Sequence, residues 1–416
     1  MRWGVLRHRP FALLFAGQAI SALGDRLVPV ALAFAVLDIT GSVTDLGIVL
    51  AAQTLPLLLL VLVGGVWADR LPRQRVMLVS DAVRAGAQGL SAAIVLSGSG
   101  RIWELAALQA VYGSAEAFFG PASRVVVAQT VDRAEFQQAN ALIGLSAELT
   151  SVLGPALAGV IVVAASPGWA LAIDAATFVV SAICLALLRV KPVIAEARKS
   201  TFAELRAGWR TFRSRTWLWA TVLFFTLFIG FVYAPWQVLA PQISRTSLGG
   251  AGAWAAINAA LGLGSIGGAL LGLRWRPRHP LRAALLLFAV GGPALYALVG
   301  AHAPLPVILA VAVIDGSSGT VFNTLWYTAI QREISPDEQS RVISWDYLGT
   351  LAIQPVGLAL AGPIAGAIGV SEALYVVAGV WVVLLAGVLA VPAVRNFTSG
   401  PAFPAAVEGS PQRSGG

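Results

Sequence analysis

Three carboxylates, Asp25, Glu116 and Asp315, stand within stretches that are otherwise apolar enough to cross a bilayer. Counted at about 1.5 Å per residue, each falls near mid-depth. An ionised carboxylate there costs at least roughly 3 kcal/mol, so it is expected to be paired, hydrated or protonated. These side chains are therefore candidate proton carriers, the more so because His8, His279 and His302 all lie near the ends of apolar stretches. The alternative for Asp25 is a structural one, neutralisation by Arg26 or Arg84.

No other chemistry is spelled out. The chain has no His-Glu-x-x-His, no Gly-x-Ser-x-Gly and no Cys/His cluster. Its only lysines, Lys191 and Lys199, follow Val and Arg, so a Gly-x-x-x-x-Gly-Lys phosphate loop is absent and an ATP-driven pump is disfavoured. No metal or cofactor is expected, and the lone Cys184 rules out an intrachain disulfide.

The elements that must position the carboxylates follow from composition. The 416 residues are 57% hydrophobic and 12% charged, with a mean hydropathy of +0.79, whereas soluble domains carry about 25% charged residues. Stretches of roughly 20 apolar residues cover about 30 Å of hydrocarbon. They fall at 11–38, 44–68, 76–98, 103–127, 139–165, 168–189, 216–240, 250–273, 281–300, 304–330, 341–368 and 370–393, which predicts an all-α membrane protein of twelve helices. The first stretch is longer than a signal-peptide core and holds Asp25 and Arg26 midway, so it is expected to be retained.

Of the 28 Lys and Arg residues, all but Arg26, Arg84, Arg101 and Arg245 fall at the termini or in even-numbered loops, which places both termini in the cytoplasm. The net charge of +8 belongs to these helix-flanking positions, and no soluble domain exists to present a nucleic-acid-binding face. Arginine outnumbers lysine 26 to 2, a coding bias that points to a GC-rich bacterium and hence to a bacterial inner membrane.

A shift of 203 residues aligns Gly113-Ser114 with Gly316-Ser317, Phe119 with Phe322, Glu135 with Glu338, and Gly154 and Gly159 with Gly357 and Gly362. A period of half the chain predicts two pseudo-symmetric six-helix halves, 1–189 and 216–395, with a substrate site near the midplane where they meet. Between them, 190–215 is expected to hold an amphipathic helix capped by Thr201 and Glu204, with Phe202, Leu205, Trp209 and Phe212 on its apolar face. The tail, 396–416, is rich in Gly, Pro and Ser and is expected to be disordered.

Between the second and third stretches lies a charged turn, Gly65-x-x-x-Asp69-Arg70-x-x-Arg73. Twelve helices in two related halves with this turn resemble the major facilitator superfamily, from whose usual pattern the chain departs at Pro72 and Gln74. Gly17-Gln18 through Gly24-Asp25, Phe119-Gly-Pro121 and Gly154-Pro155 with Gly159 are similar to the branch of enterobactin exporters and macrolide efflux proteins.

The resemblance implies that helices 1, 4, 7 and 10 line a central cavity, which puts Asp25, Glu116 and Asp315 on it. It also implies that Asp69 docks at the start of helix 11 as a cytoplasmic gate, with Gly65, Arg70 and Arg73. Asp81 and Arg84, three residues apart on helix 3, are expected to pair near that gate. Gly154, Pro155 and Gly159 form the helix 5 element associated with proton-driven export. Gln18, Phe231, Tyr233, Trp236, Asn258, Asn323 and Trp326 offer aromatic and amide surface for a bulky amphipathic ligand.

The function expected is proton-coupled efflux, by alternating access in a monomer, of a lipophilic or amphipathic small molecule such as a drug, antibiotic or siderophore. The partners are that substrate, protons and the bilayer. An importer or facilitator of the same fold is the first alternative, and a membrane-embedded enzyme is the rival from another class.

Overall fold

A computed structural model of the protein describes residues 4–68, 71–132, 135–189, 209–210 and 212–398. Among these the regular structure is helical throughout. The long helices are α1 (Arg9–Asp25, then Val28–Thr40), α2 (Val43–Ala68), α3 (Arg73–Ser97), α4 (Ile102–Thr130), α5 (Phe136–Ala164) and α6 (Pro167–Leu187). They continue with α7 (Thr216–Phe228 on to Ser244–Leu248), α8 (Ala251–Arg274), α9 (Pro280–Gly300), α10 (Leu305–Glu333), α11 (Pro336–Leu351, then Gln354–Ile368) and α12 (Val370–Ala390). Ten spans are long and apolar enough to cross a membrane, all of these helices except α3 and α4. Those two carry the charges that matter below: Asp81 and Arg84 on α3, Glu116 on α4.

Proline and glycine explain the interruptions. The second segment of α1 restarts with Pro29 in its first turn, where a missing amide N–H costs nothing. In α7 the π turns Ile229–Tyr233 and Ser244–Leu248 lie beside Pro235 and Pro241, which break the regular hydrogen-bond ladder. Gly41 (φ 66°) and Gly98 (φ 67°) end α1 and α3 in the left-handed region, which a side chain would strain.

The packing repeats six helices on. α2 lies against α4 as α8 lies against α10, and α3 against α6 as α9 against α12. Between the two sets, α2 packs on α11 and α5 on α8. The 203-residue repeat is visible in these contacts. Gly154 of α5 abuts Arg26 of α1, and Gly357 of α11 abuts Gly230 of α7; likewise Gly159 meets Ala255 of α8 while Gly362 meets Thr44 of α2.

The contacts that Gly47, Gly159 and Gly362 make across the halves lie toward one end, that of loops 41–42, 165–166, 249–250 and residue 369. There Arg245 of α7 also donates to Asp38 of α1 at 3.1 Å. The two six-helix sets are thus drawn together at the end opposite the chain termini.

Of the expected amphipathic linker, only 209–210 and 212–215 lie within the described residues. Trp209 stacks on Phe212 (5.6 Å between centroids) and leans on Trp345 of α11 (4.9 Å). The capping pair Thr201 and Glu204, and the tail from 399, lie outside the described residues.

Candidate functional site

The break in α1 sets up the site. Asp25 ends the first segment, and its half-buried carboxylate accepts a hydrogen bond from the Tyr112 hydroxyl of α4 at 2.5 Å. Tyr112 and Glu116 are four residues apart and therefore share one face of α4. Asp25, Arg26, Tyr112 and Glu116 border a cavity of about 380 Å³, together with Gln53 and Thr54 of α2, Thr150 of α5 and Gln237 of α7. Val28, Pro29, Leu32, Leu50 and Leu358 supply its apolar surface. Tyr233 of α7 stands close enough to Arg26 to interact with it electrostatically. Both halves thus contribute to one chamber, and its acids come from the first.

Behind the chamber wall lies a buried polar network. Asp81 and Arg84 form an ion pair with side chains 0% and 3% exposed. The Arg84 guanidinium carbon sits 4.3 Å from the ring centres of both Phe119 and Phe178, a cation–π clamp that holds it in place. Phe178 in turn meets the Tyr112 ring edge-on at 5.9 Å. Further along α3, the Gln88 amide donates to Asp174 Oδ2 of α6 at 2.9 Å, and Gln109 of α4 donates to Gln88 Oε1 at 3.0 Å. The Asp81–Arg84 pair, expected near the gate, therefore sits inside the wall, because α3 turns this face toward α4 and α6.

Asp315 does not join Asp25 and Glu116. The close approach of α10 to α9 places the Asp315 backbone against Gly291, with Tyr296 its electrostatic neighbour. Trp236 is likewise packed into the protein, 4.3 Å from Tyr296 and 5.7 Å from Trp254. Asn258 donates to the Trp254 carbonyl of its own helix, and the Trp326 indole donates to Asp346 at 3.3 Å. Phe231 and Asn323 are exposed, and Gln18 donates to Ser123 of α4 at 2.8 Å.

Of the gate residues, Gly65 lies in α2 and Arg73 opens α3, while Asp69 and Arg70 lie outside the described residues. In α5, Gly154 and Gly159 are the contact points described above, and Pro155 is half-buried between them. A larger groove of about 600 Å³ runs along α3 and α4, but its Val76, Val79, Val83, Ala110 and Phe118 lining carries no carboxylate.

Sequence reasoning missed Tyr112, Gln88, Gln109, Gln53 and Gln237. A signal existed for Gln88, since Asp81, Arg84, Gln88 and Ser91 recur at helical spacing on one face of α3.

Residues 14–345 match the model of the Major Facilitator Superfamily. The chain belongs to that family. As a major facilitator protein it is a multi-pass membrane transporter. It is 28% identical to the multidrug efflux pump Tap of Mycolicibacterium fortuitum, over 87% of this chain and 91% of that one. It is 26% identical to macrolide efflux protein A of Streptococcus pyogenes, again over 87% and 91%. Among solved structures, the major facilitator fold is matched by a mutant of the nucleoside transporter NupG (TM-score 0.75, 14% identity, 92% of this chain and 99% of that one). It is matched too by a bacterial homolog of the human lysosomal transporter Spinster, captured inward-facing (TM-score 0.73, 15% identity, 95% and 99%).

Proposed function

We propose that this transporter exports a lipophilic or amphipathic small molecule, an antibiotic or similar drug, in exchange for protons. The observation that carries the reading is the chamber in which Asp25 and Glu116 face the same space beneath a closed end. Efflux relatives that name multiple drugs and macrolides supply the substrate class.

In this reading both termini are cytoplasmic, so the chamber faces inward. The exposed small and polar residues Asn140, Ala141, Gly144, Ala147 and Glu148 of α5 then line an aqueous vestibule rather than lipid. The bundles 1–189 and 216–395 rock as rigid bodies in a monomer, tethered by 190–215, with Asp69 docking on α11 when the cavity faces outward. Substrate enters while the chamber acids are ionised. After the swing outward, protons neutralise Asp25 and Glu116, substrate leaves, and the neutral chamber favours the return.

Proteoliposomes holding the purified protein test this with ethidium as the probe. An imposed pH gradient without ATP is expected to drive ethidium against its gradient, and Asp25→Asn to abolish that uphill movement while the protein still inserts. Ethidium flux that ignores the pH gradient, or an Asp25→Asn variant that pumps like the wild type, would refute proton exchange at this site.

A further inference from the structure

Asp174, on α6, takes no part in the cycle above, yet it is completely buried. Its Oδ2 accepts the Gln88 amide at 2.9 Å. Its Oδ1 and Thr177 Oγ1 both lie against Gly24, the residue before Asp25. Thr177, however, donates its hydroxyl proton to the Asp174 backbone carbonyl at 2.7 Å. Oδ1 is thus left without a hydrogen-bond donor among the described residues. A proton on Oδ1 relieves this, because a buried oxygen that can only accept becomes an O–H donor, with Thr177 Oγ1 beside the same glycine to accept it.

Charge points the same way. The groups facing Asp174 are Asp25 on α1, Arg84 on α3, and Tyr112 on α4, while Glu148 of α5 is turned outward and exposed. The one cation among them, Arg84, is paired with Asp81 and clamped between two rings. A second anion in the wall would have to share that one, already paired cation.

We propose that Asp174 is a second proton-binding carboxyl, set behind the cavity and exchanging its proton with Asp25. In the exchange the O–H bond of one carboxyl breaks, the other forms it, and the negative charge moves the opposite way. When Asp25 holds the charge, the Tyr112 hydroxyl stabilises it. The inference rests on the proton-exchange reading only for its use in transport; the protonation itself can be observed without any substrate.

The test is infrared difference spectroscopy of the full-length protein in lipid nanodiscs, between acid and alkaline buffer. Wild type is expected to show the C=O band of a buried, hydrogen-bonded carboxylic acid that disappears in Asp174→Asn and returns, shifted, in Asp174→Glu. Thr177→Val removes the acceptor and is expected to move the same band, which keeps the test open if Asp174→Asn does not fold. In Asp25→Asn the band is expected to persist but to answer a pH jump at least about tenfold more slowly, roughly 1.4 kcal/mol on the barrier. Wild-type spectra from Asp174→Asn or Thr177→Val, or an unslowed response in Asp25→Asn, overturn the proposal. Loss of proton-driven ethidium transport in the wild type would sink the exporter reading and leave these spectra unchanged.

Discussion

The two halves share one packing plan and fill it differently. The first six helices bury the Asp81–Arg84 ion pair and the hydrogen-bonded chain Gln109–Gln88–Asp174. The last six bury a chain of rings: Phe225 lies 4.4 Å from Phe322, Phe228 4.9 Å from Trp381, and Trp381 5.1 Å from Tyr296. The same scaffold thus carries an electrostatic core on one side and an aromatic core on the other. In the proposed proton-exchange cycle this difference would leave the handling of protons to the first half and rigid support to the second, since rings pack densely but bind no protons.

Substitutions in each core should separate these roles. Trp381→Ala, beside Gly292 and the rings of Phe228, Phe288 and Tyr296, is expected to cost about 3–5 kcal/mol of stability and to lower the thermal unfolding midpoint. The pH dependence of export per folded molecule is expected to stay as in wild type, and a changed pH profile would break the division. Arg84→Met strands Asp81 as an unpaired buried anion, at a cost of about 3–5 kcal/mol. The double variant Arg84→Met/Asp81→Asn is expected to recover most of that stability but not the wild-type pH profile. Full recovery of both would reduce the pair to packing. The smallest effect belongs to the tie between the halves: Asp38→Asn removes a half-exposed ion pair worth about 0–1 kcal/mol. It is expected to leave the melting temperature nearly unchanged while raising the outward-open fraction, read by labelling a cysteine placed in the chamber from outside.

The helical membrane fold, ten of whose described helices are long and apolar enough to cross a membrane, was legible because apolar length and a 203-residue repeat are properties of the chain alone. The Gly154/Gly357 match even marked the α5–α1 and α11–α7 contacts. Asp25 and Glu116 were legible as intramembrane acids because charge in an apolar stretch stands out whichever way the helix faces, and it was the family resemblance that put them on a cavity. What a helix faces depends on its rotation, which tertiary packing sets. Asp315, ranked after Asp25 and Glu116, stands in the same kind of apolar stretch, and only the backbone approach of α9 at Gly291 shows that it lies elsewhere. Trp236 offered a ligand surface by type, but its stacking on Tyr296 makes it part of the aromatic core. Tyr112 was passed over because an aromatic phenol in an apolar helix reads as packing, and only the turn at Arg26 brings Asp25 to its hydroxyl.

The division of labour comes down to two aspartates in comparable helices. Uphill ethidium export driven by a pH gradient, measured side by side in proteoliposomes of Asp25→Asn and Asp315→Asn, tests it most directly. The expected result is that Asp315→Asn still pumps against a gradient and Asp25→Asn does not. Pumping by Asp25→Asn together with its loss in Asp315→Asn would place the coupling proton in the second half and contradict the account.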